Sequence, residues 1–284
     1  MKYFYFDNNI YIDLKNNRSE ELTKVVSELE RTTNRIVFSP AHIEEIGGTV
    51  QHYGQSIESA HEKLDFVREL TGSYCFLPFP RSELKLIHNK GILIYNEDPV
   101  ATFRRVFSLN HLNKIPEQHQ KRKLEHGEYV EEQEKLIPIE VNNTDISKAL
   151  DLYRQDMYRI VIEVYKKLKK NAGMKRYVPR ERITINMLNF AALNKYFPMF
   201  EMVVELLMEH LEKKRYFPDK SQKNIASLHD TTHAIYGAYA DVFVTNDYRF
   251  SEKVKAVYKW LGVETKVLTR KEFIKEFSKC NETT

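Results

Sequence analysis

The chain opens on an almost unbroken aromatic run, Lys2–Phe6, whose Tyr and Phe content predicts a strand at a central sheet position. Polar Asp7-Asn8-Asn9 follow as a turn, and the apolar pattern resumes over Ile10–Leu14. Ser19-Glu20-Glu21-Leu22 has the chemistry of a capped helix start, with Ser19 as N-cap, and the helix is expected to run to Thr32. Arg35–Phe38 reads as a second strand. Ser39-Pro40 then opens a helix, because proline at the first helical position has no N–H to lose. That helix carries His42, Glu44 and Glu45 in its first two turns before Gly47-Gly48, and another helical run spans Ile57–Leu70.

Periodicity fails from Gly72, where Pro78, Pro80, Lys90-Gly91 and Asp98-Pro99 interrupt repeatedly. Ser108–Asn143 is polar and mixed in charge, which predicts a mobile loop or short helices. Regular spacing returns at Asp145–Lys170, where Ile146, Leu150, Tyr153, Met157, Ile160, Val161, Val164 and Leu168 share one helix face. Thr184–Leu193 and Phe197–Glu212 read as two more helices, and Gln222–Tyr239 carries Ala234, Tyr236, Ala238 and Tyr239 at helical steps. Asp241–Thr245 is a β-branched and aromatic run that predicts a buried strand. A helix over Phe250–Leu261, a strand over Glu264–Leu268 and a helix over Lys271–Phe277 complete the chain, and there is no internal repeat. This order predicts an α/β fold with a parallel sheet of about four or five strands and helices on both faces. Residues 1–72 and 222–284 would form the sheet domain, discontinuous in sequence, with 73–221 as a mainly helical insertion or lobe.

Composition narrows the class. At 284 residues, 42% hydrophobic and 30% charged, the chain has the make-up of a globular protein. No stretch approaches the ~20 apolar residues of a membrane span, and the first residues lack a basic segment followed by an apolar core. Cys75 and Cys280 are far apart and without metal-type spacing, which suits a reducing compartment; a cytoplasmic protein is the expectation. The net charge of +4 is too small to indicate nucleic acid by itself. Its distribution says more: Lys166, Lys167, Lys169, Lys170, Lys175, Arg176, Arg180 and Arg182 form a basic run with Glu181 the only acid among them, and Tyr165 and Tyr177 flank it. Such a run would neutralise phosphates and stack the bases of a single strand. It is equally the solvated end of a helix, where lysines favour the negative dipole terminus. Arg249 and Lys253, just after Asp247, are further candidates for contact with a nucleic-acid backbone.

The acidic residues carry the candidate chemistry. Asp7 and Asp247 each follow a predicted strand, and Asp230 begins a helical segment. In parallel α/β sheets sites collect at the carboxyl ends of strands. Carboxylates converging there make an oxygen-rich pocket that favours Mg²⁺ or Mn²⁺ over softer metals.

A strand ending in Asp7-Asn8-Asn9, Glu44-Glu45 in the helix after the second strand, and a block from Asp230 through Ala234 and Ala238 to Asp241-x-Phe243-x-Thr245-x-Asp247 together resemble the PIN-domain nucleases, over residues 1–70 and 225–278. The resemblance implies a PIN-like, Rossmann-like fold in which Asp7, Glu45, Asp230 and Asp247 are the catalytic, metal-binding carboxylates. It implies that Thr245 orients an acid through its hydroxyl, that Asn9 holds the first turn, and that Glu44 and His233 are supporting residues. Glu45 is preferred over Glu44 because it immediately precedes Ile46, the family's usual placement. His233 also reads as a packing histidine, and Asp241, at the amino end of its strand, as structural. The departure from the family pattern is Asn8, where many members carry Thr or Ser.

What the resemblance implies about activity is Mg²⁺- or Mn²⁺-dependent hydrolysis of phosphodiester bonds in single-stranded RNA, tRNA or mRNA among them, to 5′-phosphate and 3′-hydroxyl ends. RNA is favoured over DNA by analogy alone. A toxin or defence ribonuclease would fit, with an inhibitory protein partner and a homo-oligomer both open and no membrane partner expected. Two alternatives stand beside it. His229-Asp230-Thr-Thr-His233 imitates the zinc-protease helix, with His at i and i+4 on one face, and would make a His/Asp metal hydrolase. Against it, Asp is a methylene shorter than Glu and no third ligand follows at suitable spacing. The other alternative is a catalytically inactive RNA-binding or scaffolding module on the same fold. P-loop, dinucleotide and serine-hydrolase patterns are absent from the sequence.

Overall fold

The computed structural model describes residues 1–78, 87–89, 91–108, 146–171, 178–218 and 226–278. The chain divides into two compact units, one comprising Met1–Asn110, Tyr236–Ser251 and Thr265–Thr284 and the other His111–Ile235 and Glu252–Glu264.

The first unit begins with β1 (Tyr3–Phe6), α1 (Asn8–Lys15), α2 (Glu20–Glu30), β2 (Arg35–Val37), α3 (Pro40–Tyr53) and α4 (Ile57–Thr71). It continues through β3 (Tyr74–Leu77), β4 (Ile87–Asn89), β5 (Ile92–Asn96) and α5 (Pro99–Ser108). From the far end of the chain it takes β6 (Val242–Thr245), β7 (Lys266–Thr269) and the last helix, Arg270–Ser278. Four strands form a parallel sheet in the order β2-β1-β6-β7, flanked by helices.

Alternation along β1 explains why it sits inside. Phe4 and Phe6 point to one face, where their rings meet Phe273 of the last helix at 6.2 and 5.5 Å. Tyr5 points to the other and meets His42 of α3 at 4.9 Å and Phe243 of β6 at 5.7 Å. Both faces of the strand are covered, so its sequence shows no polar alternation.

The stretch after Gly72, expected to be irregular, instead forms a second, three-stranded sheet that an isolated bridge joins to the first. Phe38, just past β2, bridges in parallel to Cys75: its N–H donates to the Tyr74 carbonyl at 3.0 Å, and Phe76 N–H donates to the Phe38 carbonyl at 2.8 Å. Antiparallel pairing then runs from β3 to β5 and on to β4. These strands of three to five residues are too short for a two-residue period to stand out among prolines and glycines. Most of Ser108–Asn143, expected to be a mobile loop or short helices, lies outside the described residues.

The second unit is helical where described, with α6 (Ile146–Lys170), the short α7 (Phe190–Leu193) and α8 (Phe197–Lys213). It also holds most of α9 (Ala226–Gly237) and α10 (Tyr248–Leu261), which makes the terminal helix α11. In α6 the buried residues are Leu150, Met157, Val161 and Tyr165, whereas Ile160, expected on that face, is exposed. Two tyrosines of α6 strap the following segment along the helix: Tyr158 Oη donates to the Ile183 carbonyl at 3.1 Å and Tyr165 Oη to the Glu181 carbonyl at 2.9 Å. The helix expected over Thr184–Leu193 is a 3₁₀ turn, Ile185–Met187, followed by α7. The break has a local cause, since the Asn189 side chain accepts from Ala192 N–H at 3.0 Å and starts a new helix. Among the described residues no helix is long and apolar enough to cross a membrane.

Candidate functional site

The register Phe6↔Val244 sets the carboxyl ends of β1 and β6 side by side, and Asp7 N–H donates to the Val244 carbonyl at 2.9 Å. Each strand passes directly into a helix, and each helix is capped by an aspartate. Asp7, 2% exposed, caps α1 with Oδ1 accepting from Ile10 N–H at 3.1 Å. Asp247 caps α10 in the same way, with Oδ1 accepting from Phe250 N–H at 3.1 Å. Carboxylates are favoured at both places because they satisfy orphan amides and face the positive end of the helix dipole.

Buried Thr245 couples the two caps. Its Oγ1–H donates to Asp7 Oδ2, and Oγ1 in turn accepts from Asp247 N–H at 3.1 Å. A hydroxyl has one proton to give and lone pairs to offer, and here both capacities are used. Thr245→Val keeps the shape and removes both bonds. Unfolding stability is expected to fall by about 1–3 kcal/mol, read from urea denaturation.

Asp7 rather than Asn9 holds the first turn: Asn9 lies exposed within α1, which starts one residue after the strand. The carbonyl of Phe6 is fixed by His42, whose Nε2–H donates to it at 2.7 Å while Nδ1 accepts from Ser39 N–H at 3.1 Å. With both ring nitrogens occupied, this fully buried histidine is neutral and is not a metal ligand; it ties the start of α3 to the end of β1. Its ring sits edge-on between Tyr5 and Tyr11, at 4.9 and 4.8 Å. Burial, and secondarily the nearby Cys75, push the Tyr11 phenol far above its ordinary range, so it too is neutral.

Glu44 and Glu45 are half-buried on α3. The Glu45 charge acts on Lys63, whose ammonium is held below its ordinary pKa chiefly by burial, then by Lys15, with Glu45 opposing both. Asp230 belongs to the second unit, where it lies half-buried on α9 between His229 and the buried His233. Among the described residues, no three His, Cys, Asp or Glu side chains form a set able to hold an ion. What is brought together is the pair Asp7 and Asp247 through Thr245. All-oxygen donors of this kind fit Mg²⁺ or Mn²⁺, since Mg²⁺ is commonly held by one or two carboxylates with waters and substrate phosphates completing its shell.

One participant was missed in the sequence. Asp13, buried on α1, accepts from Arg18 Nη1 at 3.3 Å, from Asn246 Nδ2 at 3.2 Å and from Arg270 Nη1 at 2.5 Å. Its signal was a charge inside the apolar run Ile10–Leu14. Asp241 fills the structural role expected of it, accepting from Tyr3 N–H at 2.7 Å at the amino end of the sheet.

The basic candidates separate. Lys166, Lys167, Lys169 and Lys170 are at the end of α6, and Lys169 Nζ donates to Tyr165 Oη at 2.6 Å and to the Arg180 carbonyl at 3.2 Å. Lys175 and Arg176 lie outside the described residues. Arg249 is exposed. Lys253 must be corrected: it is buried and paired with Glu212 of α8, so it is not a solvent-side contact for a phosphate. Lys253→Ala is therefore expected to lower the Tm, as read from a thermal melt, because it leaves Glu212 without its partner.

Neither models of known protein families, nor curated proteins, nor solved structures give a match to this chain.

Proposed function

We propose that the protein is a PIN-like, metal-dependent nuclease that hydrolyses phosphodiester bonds of single-stranded RNA to 5′-phosphate and 3′-hydroxyl ends. The observation that supports this reading best is the Asp7–Thr245–Asp247 arrangement at the carboxyl ends of two adjacent parallel strands. Asp7 and Asp247 would hold Mg²⁺ or Mn²⁺, with Glu45 as a further carboxylate on a helix whose start His42 fixes to β1. Such an ion, when bound, neutralises the phosphodiester, stabilises the departing oxygen and lowers the pKa of an attacking water. The chain's own contribution is preorganisation. Two helix caps and one hydroxyl fix the rotamers of both aspartates before substrate arrives, which leaves little reorganisation for the reaction itself.

A second reading has an observation of its own: both aspartates are accounted for as helix caps, with no chemistry required. It makes the chain an RNA-binding module without hydrolytic activity. Labelled single-stranded RNA and DNA, incubated with Mn²⁺, Mg²⁺ or EDTA, separate the two. Cleavage that needs the metal supports the nuclease; tight binding with no cleavage under any condition supports the binder. Neither binding nor cleavage removes both.

A further inference from the structure

Asp13 serves two guanidinium groups at once, and this is more than a lone ion pair needs. We propose that Arg18 and Arg270, held apart and aimed by Asp13, form a two-armed site for a backbone phosphate of single-stranded RNA; the inference rests on the nuclease reading and assigns the strand a place to be held beside the aspartate pair.

Arg270 opens α11 directly after β7, at the carboxyl-end rim of the parallel sheet, and Arg18, between α1 and α2, is tied to that rim through Asp13. A continuous chain of hydrogen bonds and neighbouring residues connects them to the candidate site. Asn246, which Asp13 also holds, lies between Thr245 and Asp247, and Thr245 donates to Asp7. Two cations share one carboxylate, and neither guanidinium has a second acidic partner among the described residues. The cluster therefore keeps a positive excess next to two acids that would otherwise repel an anionic strand.

Exposure differs between the post and its arms. The Asp13 side chain is 4% exposed and fixed in place, whereas the Arg18 and Arg270 side chains are 58% and 26% exposed. Among the described residues each arginine bonds Asp13 through Nη1, which leaves four further N–H donors on each guanidinium. Arginine suits this task better than lysine, because its planar fork meets two phosphate oxygens at once.

The test is binding of a 5′-hydroxyl single-stranded RNA, followed by anisotropy across a KCl series in EDTA so that no cleavage intervenes. Arg18→Gln with Arg270→Gln should weaken binding by about tenfold or more and flatten the log–log salt slope by about 0.7 for each phosphate no longer neutralised. Arg270→Lys keeps the charge and loses the fork, so affinity should fall with the slope retained. Asp13→Asn is the discriminating variant: it adds net positive charge yet frees both arms, and affinity should fall. Tighter binding by Asp13→Asn, or wild-type affinity and slope in the double variant, would overturn the proposal. Arg18→Gln alone, at a mostly exposed side chain, gives a folded readout and should lower affinity and slope in part; an unchanged affinity counts against the site. Absence of both RNA binding and metal-dependent cleavage in the wild type removes the nuclease reading itself, whereas binding indifferent to these substitutions removes only the phosphate site.

Discussion

Asp7→Asn is expected to reduce RNA cleavage by roughly a thousandfold or more while leaving the fold in place. Asparagine is about as good an N-cap as aspartate, so the bond from Ile10 N–H to the side-chain oxygen survives, while the amide nitrogen takes the place of the second oxygen and donates to Thr245 Oγ1 instead of accepting from it. What disappears is the negative charge. If Asp7 holds a divalent cation, the loss amounts to about 4 kcal/mol of transition-state stabilisation, which is a factor of about a thousand in rate. The measurement is single-turnover cleavage of labelled RNA at saturating Mn²⁺, beside a thermal melt expected to move by only a few degrees. Wild-type cleavage in a well-folded variant would end the nuclease mechanism. A collapse of the melt instead would assign Asp7 to structure.

The largest effect on stability is expected from Phe243→Ala. Phe243 is fully buried in β6, between the edge strand β7 and central β1, and its ring meets Tyr5 at 5.7 Å and Phe250 at 6.0 Å. Truncation removes its transfer free energy and leaves a cavity that a parallel sheet cannot easily close, at a cost of about 3–5 kcal/mol. In a chain of this size that is on the order of 10 °C in Tm. Urea denaturation should show a lower midpoint with an unchanged slope. Ile57→Ala, at a mostly exposed side chain, should scarcely move the midpoint under the same conditions.

The parts of the fold carried by strong local signals were legible from the amino acids. An aromatic run followed by Asp7, the Ser39-Pro40 helix start and the Val242–Thr245 run each contain their own instructions, and each produced the expected element. The antiparallel strands β3–β5 did not show, because pairing decides such short segments and pairing is not local. The same distinction divides the candidate site. Asp7 and Asp247 stood out by position after strands, but Asp13 could not, since its partners Asn246 and Arg270 lie 233 and 257 positions away. Lys253, expected to contact a nucleic-acid backbone, is paired instead with Glu212, 41 positions away.

The sheet's strand order has a consequence for synthesis. Hydroxyl and carboxylate, Thr245 and Asp7, meet across 238 positions of chain. While the polypeptide is still leaving the ribosome, β1 has β2 on one side and nothing on the other. A nascent chain therefore holds an incomplete aspartate pair until residues 242–247 have emerged and β6 has docked on β1.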